Sequence, residues 1–219
     1  VTSARVIPLF PLSSVLVPGL VMPLHIFEPR YRQLVADITD LPEDERGFGV
    51  VAIREGYEVG TDGVRALYDV GTFASLREVE TLPDGRSDIV TVGTRRFRIL
   101  SLVEGQPYAQ AEVEWVPEES GDASIPLSQS VVARFADYRA LLTDEVEDSD
   151  MPDDPRVLSY LVSAAVVADL ATRQSLLEIP DDTTRLRAEL DFLRREAAVI
   201  REVPSLPAVD LAREPFGLC

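Results

Sequence analysis

The stretch Arg5-Val-Ile-Pro-Leu-Phe-Pro-Leu-Ser-Ser-Val-Leu-Val-Pro-Gly-Leu-Val-Met-Pro-Leu-His-Ile-Phe-Glu-Pro-Arg-Tyr-Arg-Gln-Leu-Val35 is the most apolar part of the chain, and its reading decides the fold. Residues 6–27 carry no charge, yet Pro8, Pro11, Pro18, Gly19 and Pro23 interrupt the run every few residues. A membrane-spanning helix would leave the backbone groups around those prolines unpaired in lipid. The run therefore reads as extended segments joined by kinked turns, with Pro18-Gly19 as a turn and residues 20–27 as a strand.

In that strand Leu20, Met22, Leu24 and Ile26 alternate with Val21, Pro23, His25 and Phe27. Both faces are largely apolar, whereas a strand with one solvated face carries polar residues at every second position. The second face is thus covered, either by this chain or by a partner. After Phe27 the period changes to that of a helix. Pro29 suits a first helical position, Tyr31, Leu34, Val35 and Ile38 recur at helical spacing, and Glu28 and Arg32 stand four apart.

Leu9-Phe10-Pro11-Leu12, Val17-Pro18-Gly19 and Pro23-Leu24-His25-Ile26-Phe27-Glu28-Pro29-Arg30-Tyr31-Arg32, in that order, resemble the opening signature of the Lon N-terminal, or substrate-binding, domain. The resemblance implies an α+β fold: a PUA-like β pseudo-barrel with one helix, then an α-helical bundle. It also implies a role in recognising polypeptide clients. Gly93-Thr-Arg-Arg-Phe-Arg-Ile99 is similar to a strand of that family, and residues 175–196 resemble the end of its helical part.

The chain has 219 residues, of which 46% are hydrophobic, enough for a packed core. A net charge of −17 argues against a nucleic-acid partner, whose affinity rests on basic residues neutralising phosphates. All 21 basic residues are arginine. Cys219 is the single cysteine, so no internal disulfide forms and the cytoplasm is the expected compartment. No membrane partner is expected.

Residues 48–53 read as a buried strand. Gly47-x-Gly49-x-x-Ala52 touches a dinucleotide-binding pattern but lacks the strand-to-helix context that pattern needs. Residues 70–82 and 89–92 form a hairpin around Pro83-Asp84-Gly85, and two further strands lie at 95–103 and 108–116. Short strands at this spacing suit a small barrel or sandwich. Arg95, Arg96 and Arg98 are read as a solvated strand edge pairing with nearby acids, with an acidic or nucleic-acid partner as the alternative. We expect a β domain over 1–117, a linker over 118–126, a helical bundle over 127–203 and a tail over 204–219. The bundle contains a helix from Ser128, an acidic connection at 144–154, an apolar helix over 157–170 that sits centrally, a short helical turn at 173–178, and a last helix near 183–203. The acidic run lacks the central glycine and alternating oxygen ligands of a calcium loop.

The absence of lysine removes both the G-x-x-x-x-G-K-[ST] nucleotide loop and a serine–lysine dyad, so neither catalytic part of a complete Lon protease is encoded here. His25 is the single histidine and G-x-S-x-G does not occur, so no catalytic, cofactor or metal residue is assigned. His25 itself reads as a structural histidine rather than a base. The favoured expectation is a free-standing polypeptide-binding module that recognises unfolded or exposed apolar segments and adapts them to a separate protease. A regulatory protein with one folded partner and a small carboxylate-based hydrolase are the alternatives; a homo-oligomer is compatible with all three. If Leu20, Met22, Leu24 and Ile26 face the interior, then Val21, Pro23, His25 and Phe27, joined by Tyr31, form an apolar groove for an extended peptide. The competing expectation is that the helical part covers that face.

Overall fold

The apolar run folds as strands and turns. In a computed structural model describing residues 4–56, 58, 64–143 and 151–202, it forms β1 (Arg5–Leu12), a turn, and β2 (Val21–Ile26). The Leu20 amide donates to the Val17 carbonyl across Pro18 and Gly19. Gly19 has φ +87°, which glycine adopts without the steric cost of a Cβ, and proline presets the preceding residue. Pro29 then opens α1 (Pro29–Thr39), which buries Tyr31, Leu34, Val35 and Ile38, the helical-period residues of the sequence.

The other strands are β3 (Gly47–Gly56), β4 (Val64–Leu67), β5 (Val70–Thr81), β6 (Ser87–Val103) and β7 (Gln110–Trp115). Pairing runs from β1 through β7, β6, β5 and β3, and a parallel β3–β1 pairing brings it back to its start. β4 lies beyond β3, and β2 pairs with the first half of β6. The strands expected separately at 89–92 and 95–103 are one strand, which shifts register against β5 between Phe73 and Ala74. Its two halves pair with β2 and with β7 in turn.

One core gathers Phe10, Leu12, Leu16, Ile26, Phe48 and Ile89 with the buried face of α1. The other is built from Ile7, Leu9, Val51, Phe73, Phe97 and Val113. Phe97 is fully buried against the Cα of Gly71, where an added Cβ would come within 2.5 Å of its ring and 2.4 Å of the Val50 carbonyl. Fully burying one such aromatic contributes about 2–3 kcal/mol. The opening stretch supplies side chains to both cores.

The arginine cluster is a solvated edge only in part. Arg96 is fully buried; its guanidinium donates to the Leu177 carbonyl (2.8 Å) and faces the Pro117 carbonyl (3.5 Å). Its cross-strand neighbour Thr72 is equally buried, so this position faces inward. Arg95 and Arg98 are exposed as that reading expects, but only Arg98, beside Glu114, has an acidic neighbour of the kind it named; Arg95 stacks on Trp115 at 3.5 Å.

The described residues divide into two compact units, one within 4–117 with 167–178, and one within 118–166 with 179–202. The helix α4 (Leu170–Glu178), expected among the C-terminal helices, belongs to the first unit. Arg96 holds the carbonyl of its Leu177, and its Gln174 amide donates to the Val70 carbonyl (2.9 Å).

The second unit contains α2 (Ile125–Leu142), α3 (Pro155–Ala165) and α5 (Asp182–Glu202). Ser124 caps α2, so that helix begins inside the expected linker; Asp154 caps α3 with two amide bonds, as Asp-Pro predicts. The centre of this unit is α5, against which both α2 and α3 pack, rather than α3, whose Val157 and Leu161 are exposed. α5 buries Leu186, Leu190, Leu193 and Ala197 of the expected stripe. Most of the acidic run at 144–154, the tail 204–219 and Cys219 lie outside the described residues.

Candidate functional site

β2 has one packed face and one open face. Ile26 is buried, and Leu20, Met22 and Leu24 pack against the first core. Val21, at 56% exposure, Pro23 and Phe27, at 38%, are exposed. Opposite residues of an antiparallel pair share a face, so Val92 and Val90 of β6 stand beside Val21 and Pro23. Both are half-buried. They extend the apolar surface beyond the residues the sequence singled out, and only the cross-strand register reveals them.

His25 lies on this face, opposite Asp88. Its Nδ1 is 2.6 Å from the Asp88 carboxylate and its Nε2 is 3.2 Å from the Arg86 guanidinium. These contacts suit the neutral imidazole whose Nδ1–H donates to Asp88 while Nε2 accepts from Arg86. With both nitrogens engaged, His25 orients the strand end and makes a ring contact with Phe27 at 6.3 Å.

Tyr31 is placed differently from the others. It is buried, its ring stacked on Phe10 at 4.1 Å with the Arg30 guanidinium over it at 4.5 Å. Burial above all pushes its hydroxyl up to about 12, with Glu28 and Glu58 adding to the shift and Arg30 opposing it. Tyr31 therefore forms the floor of a recess at the end of β2, with Phe10, Leu12, Ile26 and Phe27 around it. Glu28 and Glu58 line the same recess; Arg30 pairs with the Glu28 carboxylate and donates to the Glu58 main-chain carbonyl, at 3.0 Å each, and the Ser13 amide donates to the Glu58 carboxylate. Its cavity volume of about 20 Å³ holds a water molecule or the tip of a side chain, far below the roughly 300 Å³ of a small-molecule site. Phe10 and Leu12 belong to the opening motif, but nothing in the sequence placed them or Glu58 at this site, because chain crossing brings them here.

Among the described residues no group of histidine, cysteine, aspartate or glutamate is arranged to hold a metal ion, and no helix is long and apolar enough to cross a membrane.

The chain is an α+β protein that leaves one apolar strand face open beside a small aromatic recess. Residues 6–195 match the family described as the ATP-dependent protease La (LON) substrate-binding domain, and the chain belongs to that family. It is 27% identical over 208 residues to Lon protease 2 of Myxococcus xanthus, and 28% identical over 211 residues to Lon protease of Escherichia coli K12. Each match covers 90% of this chain but only 24% and 26% of those proteins, so the chain spans about a quarter of the curated relatives it matches. A Lon N-terminal domain protein from Xanthomonas campestris shares the fold at a TM-score of 0.63 and 28% identity, covering 85% of this chain and 98% of that one. The N-terminal domain of Mycobacterium avium complex Lon protease matches in fold at a TM-score of 0.58, covering 87% of this chain and 98% of that one at 21% identity.

Proposed function

We propose that this chain is a polypeptide-binding module that takes unfolded or exposed apolar segments on the open face of β2 and presents them to a separate protease, without a catalytic step of its own. The observation that carries the reading is the exposure of Val21 on a strand whose opposite side chains pack into the core, and of Phe27 just beyond its end. Exposed apolar surface of this kind, rimmed by polar groups, favours protein partners over small molecules. The absence of lysine in the sequence supports a role outside nucleotide hydrolysis and serine–lysine proteolysis, and the acidic charge supports protein over nucleic acid. What supports reading the first unit as the PUA-like pseudo-barrel implied by the resemblance is the closed run of pairings through β1, β7, β6, β5 and β3; α2, α3 and α5 are then the helical bundle. The cytoplasm, where proteases of this family would meet such clients, is the proposed location.

Phe27→Asp tests the reading. Phe27 is already partly solvated, so the urea midpoint should move by less than about 1 kcal/mol in stability, while binding of a denatured client and suppression of its aggregation weaken about tenfold. A large loss of stability, or unchanged client binding, would refute the site. A pull-down from the native cell separates this function from that of a regulator: many unrelated unfolded proteins support it, and one stoichiometric folded partner overturns it.

A further inference from the structure

The main chain of β2 carries information that its side chains do not. The Leu20 carbonyl accepts from the Gly93 amide, and the Thr91 hydroxyl donates to the Met22 carbonyl. Because main-chain groups alternate along a strand, residues 20, 22, 24 and 26 turn theirs toward β6, and Val21, Pro23 and His25 turn theirs the other way. Among the described residues no strand pairs along that second edge. It offers the carbonyls of Val21, Pro23 and His25 and the amides of Val21 and His25. Proline has no amide hydrogen, so Pro23 is tolerated at an outward position and would cost a ladder bond at an inward one.

Several acids stand on the sheet face behind this edge. Through Val90 and Asp88 the register places Glu78 and Glu80 of β5 on the same face as Pro23 and His25, and Asp84 lies in the adjoining turn. Of the cations nearby, Arg86 is already bonded to Asp84 and faces His25, Arg77 lies in the register shift of β5, the Arg32 guanidinium lies against Gly85 in the turn, and Arg30 is paired with Glu28. A second copy of this acidic chain would bring like charges together at such an edge, whereas a basic segment would relieve them.

We infer that an extended polypeptide segment, apolar along its length and basic at one end, binds by adding as a strand to the free edge of β2, with its basic end at the end of β2 where Asp88 stands across from His25. This rests on the polypeptide-binding reading above and specifies how the segment is held. Main-chain bonds give affinity for many sequences, while Val21, Pro23 and the Phe27 recess select apolar side chains and the acids select the basic end.

The test uses the full chain and a short fluorescent peptide, rich in valine with a terminal arginine, in titrations by anisotropy. N-methylation of one alternate set of peptide amides should weaken binding by about tenfold or more, and of the other set by less than about twofold, because only one set faces β2. Changing the terminal arginine to glutamate should weaken binding at low salt, with the difference shrinking as salt rises. Val21→Pro, which keeps an apolar side chain and removes one outward amide, should cost about fivefold. If both methylated sets bind alike while Phe27→Asp still abolishes client binding, the edge proposal is wrong and the polypeptide-binding function stands. If neither peptide nor denatured client binds, the function itself is wrong. A homodimer dissociated by Val21→Pro would overturn the proposal in favour of pairing between copies.

Discussion

Glu189→Gln should stabilise the second unit, and do so only as the pH rises. Glu189 lies in the middle of α5 with no exposed surface. The Ser163 hydroxyl donates to its Oε1 at 2.6 Å, and its Oε2 is buried with no protein partner. Arg185, one turn earlier, is spent on the Ser159 hydroxyl, the Tyr160 hydroxyl and the Ile179 carbonyl, with its guanidinium 4.0 Å from the centre of the Tyr160 ring. Burial pushes the Glu189 carboxyl up to about 8 from an ordinary 4.5, against the opposing pull of Ser163 and Arg185. Folding therefore takes up a proton between those two values, and stability falls with rising pH across that window. Below 4.5 both states are protonated and nothing is lost; above 8 the loss is complete. At about 1.4 kcal/mol per pH unit, the loss is about 3 kcal/mol at neutral pH and about 5 kcal/mol once the folded carboxyl has ionised. Glutamine keeps the acceptor for Ser163 and never ionises. Any fixed change in packing or in unpaired amide groups shifts its stability equally at every pH, so it cancels when the two proteins are compared across pH. The assay is urea unfolding of both proteins by helical ellipticity at about pH 5, 7 and 9. The glutamine protein should gain several kcal/mol relative to the parent between the first and last. A difference that stays constant across the series would refute the buried neutral carboxyl.

Gly71→Ala should destabilise the first unit by about 3 kcal/mol, because the new Cβ meets the Val50 carbonyl and the Phe97 ring inside van der Waals contact; Trp115 fluorescence during urea unfolding measures it. Arg96→Met should cost about 3 kcal/mol by stripping buried donors from the Leu177 and Pro117 carbonyls. Arg96→Lys should not restore it, since a point charge cannot reach both in the manner of a guanidinium; amide exchange in α4 should rise in both variants.

Where a fold signal was local, the sequence carried it. Pro18-Gly19 sits in its turn, Pro29 opens its helix, Asp154-Pro155 caps another, and the two faces of residues 20–27 can be named from alternation alone. The parallel pairing of β1 with β3, by contrast, joins segments some forty positions apart, and nothing in either strand names its neighbour. The helix α4 shows the same limit from the other side. Its periodicity announces a helix, but the core it joins is chosen by Gln174 reaching Val70 and by Arg96 reaching back to Leu177, two long-range bonds without local trace. Arg96 between Arg95 and Arg98 reads as surface because charge is usually solvated; it is buried because Thr72 and α4 surround it.

The site was legible to a similar depth. Alternation announced two apolar faces on β2 without saying what covered the second, since an apolar face against a partner and one against the chain itself have the same composition. Tyr31, expected to join that face, is instead turned onto Phe10 in the core by the helical period that begins at Pro29. Pro23 was the more informative residue. A proline in a central strand must sacrifice a bond on one side or the other, so its presence in the middle of an apolar strand marks an edge. An edge strand that is apolar on both faces is, in turn, a strand that water alone does not satisfy. Natural sequences blunt such edges with charge; here the acids stand one and two strands away, at Asp88, Glu78 and Glu80, and the edge itself keeps only Val21, Pro23 and His25. That arrangement disfavours a second acidic copy and leaves the outward ladder positions of β2 unpaired among the described residues, which is the place the proposed client strand would take.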